Sequence, residues 1–171
     1  LLYSRTPEPL IYSNCFRTFM EYFKMFGVLI SGRRSIMNRV SGIAIQVYVT
    51  AIRQSLSEEL RLKPWKNDEN EMAGHCYVAS EAFYHLIGGK SCGWKPMFTR
   101  HYDVPHWFVQ HEDGEIVDIT ADQFEESVEY HVARGKGFLT KQPSKRAQIV
   151  IDRVDDLIRE AAQCVKSWSV T

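Results

Sequence analysis

GHCYVASEAFYHLIGG, residues 74–89, decides how this chain is read. Tyr77, Val78, Ala82, Phe83, Leu86 and Ile87 recur at spacings of three and four, which predicts an amphipathic helix over Cys76 to Ile87. Gly88-Gly89 supplies its stop, because glycine enters the left-handed conformation at little cost. The helix therefore begins on a cysteine. Gly74, two residues earlier, allows the backbone a close approach to its surroundings.

Downstream the period changes from helical to alternating. Pro96 to Tyr102 reads as a strand, with Met97, Thr99 and His101 alternating against Phe98, Arg100 and Tyr102. His106 to His111 is a second strand and Glu115 to Ile119 a third, joined by a hairpin turn at Asp113-Gly114. Thr120 is expected to cap a short helix, Ala121 to Glu126. Gly135 to Gln142 is a glycine- and lysine-rich loop. Pro143-Ser144 then starts a long helix with Ala147, Val150, Ile151, Val154, Leu157, Ile158, Ala161 and Val165 on one face.

Upstream, Asn38 to Leu62 has a helical pattern, with Val40, Ile43, Ala44, Val47 and Ala51, then Leu56 and Leu60, on its apolar face. Glu58-Glu59 and Arg61 to Lys63 read as its wet side, Pro64 as its end, and Trp65 to Asn70 as a polar loop. The order predicts an α+β fold: a small antiparallel sheet packed on the cysteine-bearing helix, flanked by N- and C-terminal helices.

Composition narrows the function. The chain has 171 residues, 44% hydrophobic and 25% charged, which suits one compact domain with a real core. Lys+Arg and Asp+Glu balance at 21 each, and no basic stripe interleaves with aromatics, so nucleic acid is not the expected partner. Four cysteines without a CxxC pair argue against a disulfide scaffold and for a reduced, cytoplasmic setting with no cofactor. The apolar segment between Phe16 and Ile30 is interrupted by Arg17, Glu21 and Lys24, so no membrane span is expected. Residues 1–36 read as an N-terminal extension, and residues 37–171, from Met37, as a single domain.

The chemistry-bearing candidates are Cys76, His106 and Asp118. A thiol attacks as thiolate, and an ordinary cysteine pKa of about 8.5 leaves little of that form at neutral pH. A helix start and a nearby imidazolium both favour the anion. His106 on one strand is the candidate base, and Asp118 on the next can fix its tautomer. Measured from the turn the two are offset, so their contact needs a bulge or a long side-chain reach. The backbone N–H of Cys76 is one oxyanion donor; His75, Asn67, Asn70 and Gln123 are candidates for another. Trp107 and Phe108 read as core and pocket wall.

Plainer readings stand beside these. Cys15, Cys92 and Cys164 read as small buried hydrophobes, and His85, His101, His111 and His131 as surface or strand-edge residues. Asp118 also suits a strand-end cap for Thr120 and Ala121. The same Cys76, His106 and Asp118 set could instead ligate zinc, or the fold could be a non-catalytic interaction module with a structural Cys76.

Gly74-His75-Cys76-Tyr77-Val78-Ala79, Gly88-Gly89, His106-Trp107-Phe108, Asp113-Gly114-Glu115 and Asp118-Ile119-Thr120-Ala121-Asp122-Gln123-Phe124 together resemble the YunG-like family of small bacterial and phage proteins. The resemblance covers roughly residues 65 to 150. It implies a compact papain-like or transglutaminase-like arrangement that uses Cys76, His106 and Asp118 in that order. Some relatives carry glutamine immediately before the cysteine. Here that position is His75, which removes one oxyanion or packing group and adds a second imidazole. The expected activity is that of a thiol-dependent hydrolase or acyltransferase on an amide, isopeptide or thioester carbonyl of an acyl or peptide-like substrate.

Overall fold

The computed structural model describes residues 35–168, with side chains from residue 42 to 161 and at 163. The apolar segment of residues 16–30, Cys15 and the side chains of Cys164 and Val165 lie outside it. Helix α1 (Ser35–Ser55) leads through a 3-10 turn (Glu58–Leu60) and a loop to helix α2 (Cys76–Leu86). Strands β1 (Trp94–His101), β2 (Val104–His111), β3 (Ile116–Val117) and β4 (Arg134–Gly135) follow, and helix α3 (Lys145–Trp168) comes last. The strands form one antiparallel sheet in the order β3-β2-β1-β4. The described residues are thus mixed α and β, three helices with a small four-stranded antiparallel sheet. None of the described helices is long and apolar enough to cross a membrane.

Helix α2 is the centre of the core. Val78, Ala79, Ala82 and Phe83 are fully buried, and Ala147, Val150 and Val154 of α3 meet the same cluster, as the helical period predicts. Gly88 (φ +91°) stops the helix as expected. Ser80 fixes the helix to the sheet, its Oγ donating to the Trp107 carbonyl at 2.9 Å. Glu81 fixes it to α3. Its buried carboxyl accepts the Ser144 N–H at 3.1 Å and the Ser144 hydroxyl at 2.6 Å, while Ser144 Oγ accepts the Ala147 N–H at 3.2 Å. One serine therefore caps α3 and ties it to the cysteine helix.

Several expectations are corrected. Helix α1 ends at Ser55, not at Pro64, because Arg153 of α3 takes the Ser55 carbonyl at 2.8 Å and the Ser57 hydroxyl at 2.9 Å. Its buried face is also rotated. Ile45 and Ile52 join Ala44 and Ala51 inside, whereas Ile43 and Val47 are 52% and 38% exposed. Both stripes are apolar, and packing against α2 and α3 selects one. Strand β3 is only two residues long, and the short helix is a 3-10 turn over Ala121–Gln123. Thr120 makes no side-chain cap. The glycine- and lysine-rich segment contributes β4 by pairing Arg134 with Phe98 and Gly135 with Met97, which composition did not reveal.

Gly74 carries a backbone requirement of its own. It sits at φ +76°, and a Cβ there would lie 2.4 Å from Trp65 Cβ. Gly114, at φ +98° in the β2–β3 turn, has open space around it. Gly114→Ala is therefore expected to cost about 1–2 kcal/mol from left-handed strain alone. Gly74→Ala should cost clearly more, because Trp65 must also move. Urea unfolding of both variants checks the difference.

Candidate active site

The loop that delivers Cys76 is built around a buried cation. Arg61 is 6% exposed, contrary to its reading as part of a wet face. Its guanidinium donates to the carbonyls of Trp65 at 3.3 Å, Asp68 at 2.9 Å and Asn70 at 2.8 Å. It also donates to His75 Nε2 at 3.3 Å and pairs with Glu58 at 3.1 Å. A loop without regular structure has no ladder to satisfy its carbonyls, and a planar five-donor fork supplies that need from one point. The last residue it grips is His75, directly before the cysteine.

Cys76 begins α2, where the backbone N–H groups have no intrahelical acceptor. Its Sγ lies 3.7 Å from the Pro105 carbonyl, and the side chain packs with Phe98 and Trp107, beside Tyr77 and Phe138. His106 is fully buried on β2, and its Nε2 meets Asp118 Oδ2 at 2.6 Å. The β2–β3 register pairs Val109 with Val117. Extended, it sets Asp118 opposite Phe108, diagonal to His106 and on the same face. The offset seen in the sequence is therefore closed by side-chain reach, without a bulge.

The acid serves both roles considered for it. Asp118 Oδ1 accepts the Thr120 N–H at 3.2 Å, which turns the chain at the strand end, while Oδ2 holds the histidine. Tyr130 O–H also donates to Oδ2, at 3.0 Å. Burial first, then the charge of Asp118, raise the Tyr130 pKa, so the phenol remains a donor. Tyr130 escaped the sequence reading because it follows a segment with no periodic signal. Burial pushes the His106 pKa down, but hydrogen bonding to Asp118 and to Cys76 outweighs it and raises the value to about 9. With Nε2 held by Asp118, Nδ1 is the nitrogen that the acid leaves open.

Gln123 stands at that nitrogen. Its Nε2 is 3.0 Å from His106 Nδ1, 2.9 Å from the Thr120 carbonyl and 3.1 Å from Thr120 Oγ1. The Thr120 carbonyl accepts only, so the amide presents its N–H end. Of the oxyanion candidates Gln123 is therefore the side chain at the site. Asn70 supports it from behind, donating to the Gln123 carbonyl at 3.3 Å and, at the limit, to that of Asp122 at 3.5 Å.

The other candidates fall elsewhere. His75 is buried and turned to Arg61, and burial followed by the Arg61 charge lowers its pKa to about 4. Its Nε2 is taken up by Arg61 and not by Cys76. Asn67 sits in the preceding loop with its N–H on Glu58. Trp107 forms the wall beside Cys76 and Phe108 is core, as read from the sequence. His101 is not a surface residue but is buried, against Phe124. Among the described residues no three His, Cys, Asp or Glu side chains converge as a metal site requires. A surface cavity of about 850 Å³ lies between α1 and α3, lined by Ile43, Val47, Leu157 and Ile158, and includes none of these groups.

Two outcomes are expected. Arg61→Ala leaves the Asp68 carbonyl unpaired and those of Trp65 and Asn70 with only their backbone donors, and should cost about 2–3 kcal/mol in urea unfolding. Asp118→Asn removes the main support of the imidazolium. The His106 midpoint, read by imidazole NMR, should fall from about 9 to near or below 6.5. A raised histidine pKa contributes stability that is full below pH 6.5 and lost as pH rises through 9. Wild type should therefore lose more stability than Asp118→Asn across that window.

No family model, no curated protein and no solved structure matches this chain.

Proposed function

We propose that this protein is a thiol-dependent hydrolase or acyltransferase acting on an amide, isopeptide or thioester carbonyl, a compact enzyme akin to the YunG-like family. The observation that carries the reading is the fully buried His106, held by Asp118 at 2.6 Å on one nitrogen, with Cys76 at the start of α2 near enough to help raise its pKa. Burying an imidazole in this way is costly unless both ring nitrogens are used.

In the proposed reaction Cys76 Sγ attacks the carbonyl carbon, and its proton resides on His106 Nδ1. The oxyanion that forms receives the Cys76 backbone N–H and the Gln123 amide, which is displaced from Nδ1 as that nitrogen takes the thiol proton. As the tetrahedral centre collapses, His106 gives its proton to the departing amine or thiol, leaving an acyl group on sulfur. Water or an acceptor amine, deprotonated by His106, attacks the acyl-enzyme and releases Cys76. Asp118 keeps the ring oriented throughout and Tyr130 keeps Asp118 in place. A reducing cytoplasm would keep the thiol free.

The rival reading, an interaction module with a structural cysteine, draws on the burial of Cys76, which is 7% exposed. Iodoacetamide labelling decides between them. An unassisted thiol is only a few per cent thiolate at pH 7. In wild type Cys76 should therefore alkylate about tenfold or more faster than Cys92 at that pH. His106→Ala should erase the difference. Equal rates at Cys76 and Cys92, unmoved by His106→Ala, would defeat the catalytic reading.

A further inference from the structure

We infer that Arg134 and Lys136 form an anion subsite beside Cys76, so that the acyl donor carries a carboxylate close to the carbonyl under attack. This rests on Cys76 being the nucleophile.

Lys136 Nζ lies 4.2 Å from the centre of the Phe98 ring and 5.2 Å from that of Trp107. Arg134 Cζ lies 5.7 Å from the Phe98 ring as well. Phe98 and Trp107 are the two buried residues clustered with Cys76, so both cations stand over the aromatic wall that the cysteine belongs to. The sheet fixes this placement. Arg134 pairs with Phe98 across β1 and β4, and the Lys136 N–H donates to the Pro96 carbonyl at 3.1 Å. Alternate residues of an extended segment share a face, so the two cations fall side by side.

Neither has a carboxylate partner among the described residues. Two like charges held together over one ring repel each other, and the ring faces satisfy only part of their demand. An incoming anion relieves both. The aromatic wall lowers the local dielectric and strengthens that attraction, while the exposed side of the lysine leaves the approach open. Phe138, stacked on Trp107 at 5.6 Å, closes the far side of the platform. A neutral acyl group would meet the same wall without using either charge.

The test pairs two alkylating reagents of nearly equal size, iodoacetate (anionic) and iodoacetamide (neutral). Their rate ratio at Cys76 is compared with that at Cys92 by mass spectrometry. In wild type the ratio at Cys76 should favour iodoacetate. It should fall by about tenfold in the Arg134→Gln/Lys136→Gln double variant and recover in Lys136→Arg paired with native Arg134. Both positions are exposed, so the variants should fold, and the iodoacetamide rate normalises for any change in the thiolate itself. A ratio unchanged in the double variant, with iodoacetamide labelling still dependent on His106, overturns the anion subsite alone. Loss of His106 dependence, or no labelling of Cys76 by either reagent, overturns the nucleophile reading and the subsite with it.

Discussion

A fully buried imidazole has two nitrogens to satisfy and no water to satisfy them, and much of this site follows from that demand at His106. Asp118 answers at Nε2, and its own remaining capacity is filled by the Thr120 N–H and the Tyr130 hydroxyl. Nδ1 meets the Gln123 amide, which Thr120 anchors. The ring edge is closed by Phe124. A short segment after β3 thus supplies the acid, the turn, the amide and the aromatic cover. It stays irregular because each of its polar groups is used by the histidine or by its neighbours.

The second demand is that the cysteine reach this ring. A loop of carbonyls must be held without a ladder, and Arg61 holds it from within. Gly74 then makes the last turn against Trp65, and Ser80 and Glu81 lock the helix behind the cysteine to the sheet and to α3. Cys76 and His106 lie on different elements, and their relative placement depends on these few polar fastenings together with the core around Phe83.

Particular residues show where sequence reasoning holds. Tyr77 to Ile87, Ala147 to Ile158 and Asp113-Gly114 announce themselves through period or turn chemistry, which local physics enforces whatever the tertiary context. Ile43 and Val47 fit the helical period yet face outward, and Arg61 looks like surface yet is buried. In both cases the deciding partners, α2 and α3 for the helix and the loop carbonyls for the arginine, are remote in sequence or carry no pattern. Tyr130 and the pairing of Arg134 with Phe98 were invisible for the same reason.

The sequence alone determined the helix that starts on Cys76, its glycine stop, the β2–β3 turn and the long final helix, because periodicity and left-handed glycine are local properties. It also named Cys76, His106, Asp118 and Gln123 as residues able to form a site. Tertiary structure decided that Asp118 reaches His106 diagonally, that His75 turns away to Arg61, and that Arg134 and Lys136 stand over the wall beside the sulfur. Those outcomes depend on strand register and on which buried polar group finds a partner. Both are settled only when distant segments compete for the same space.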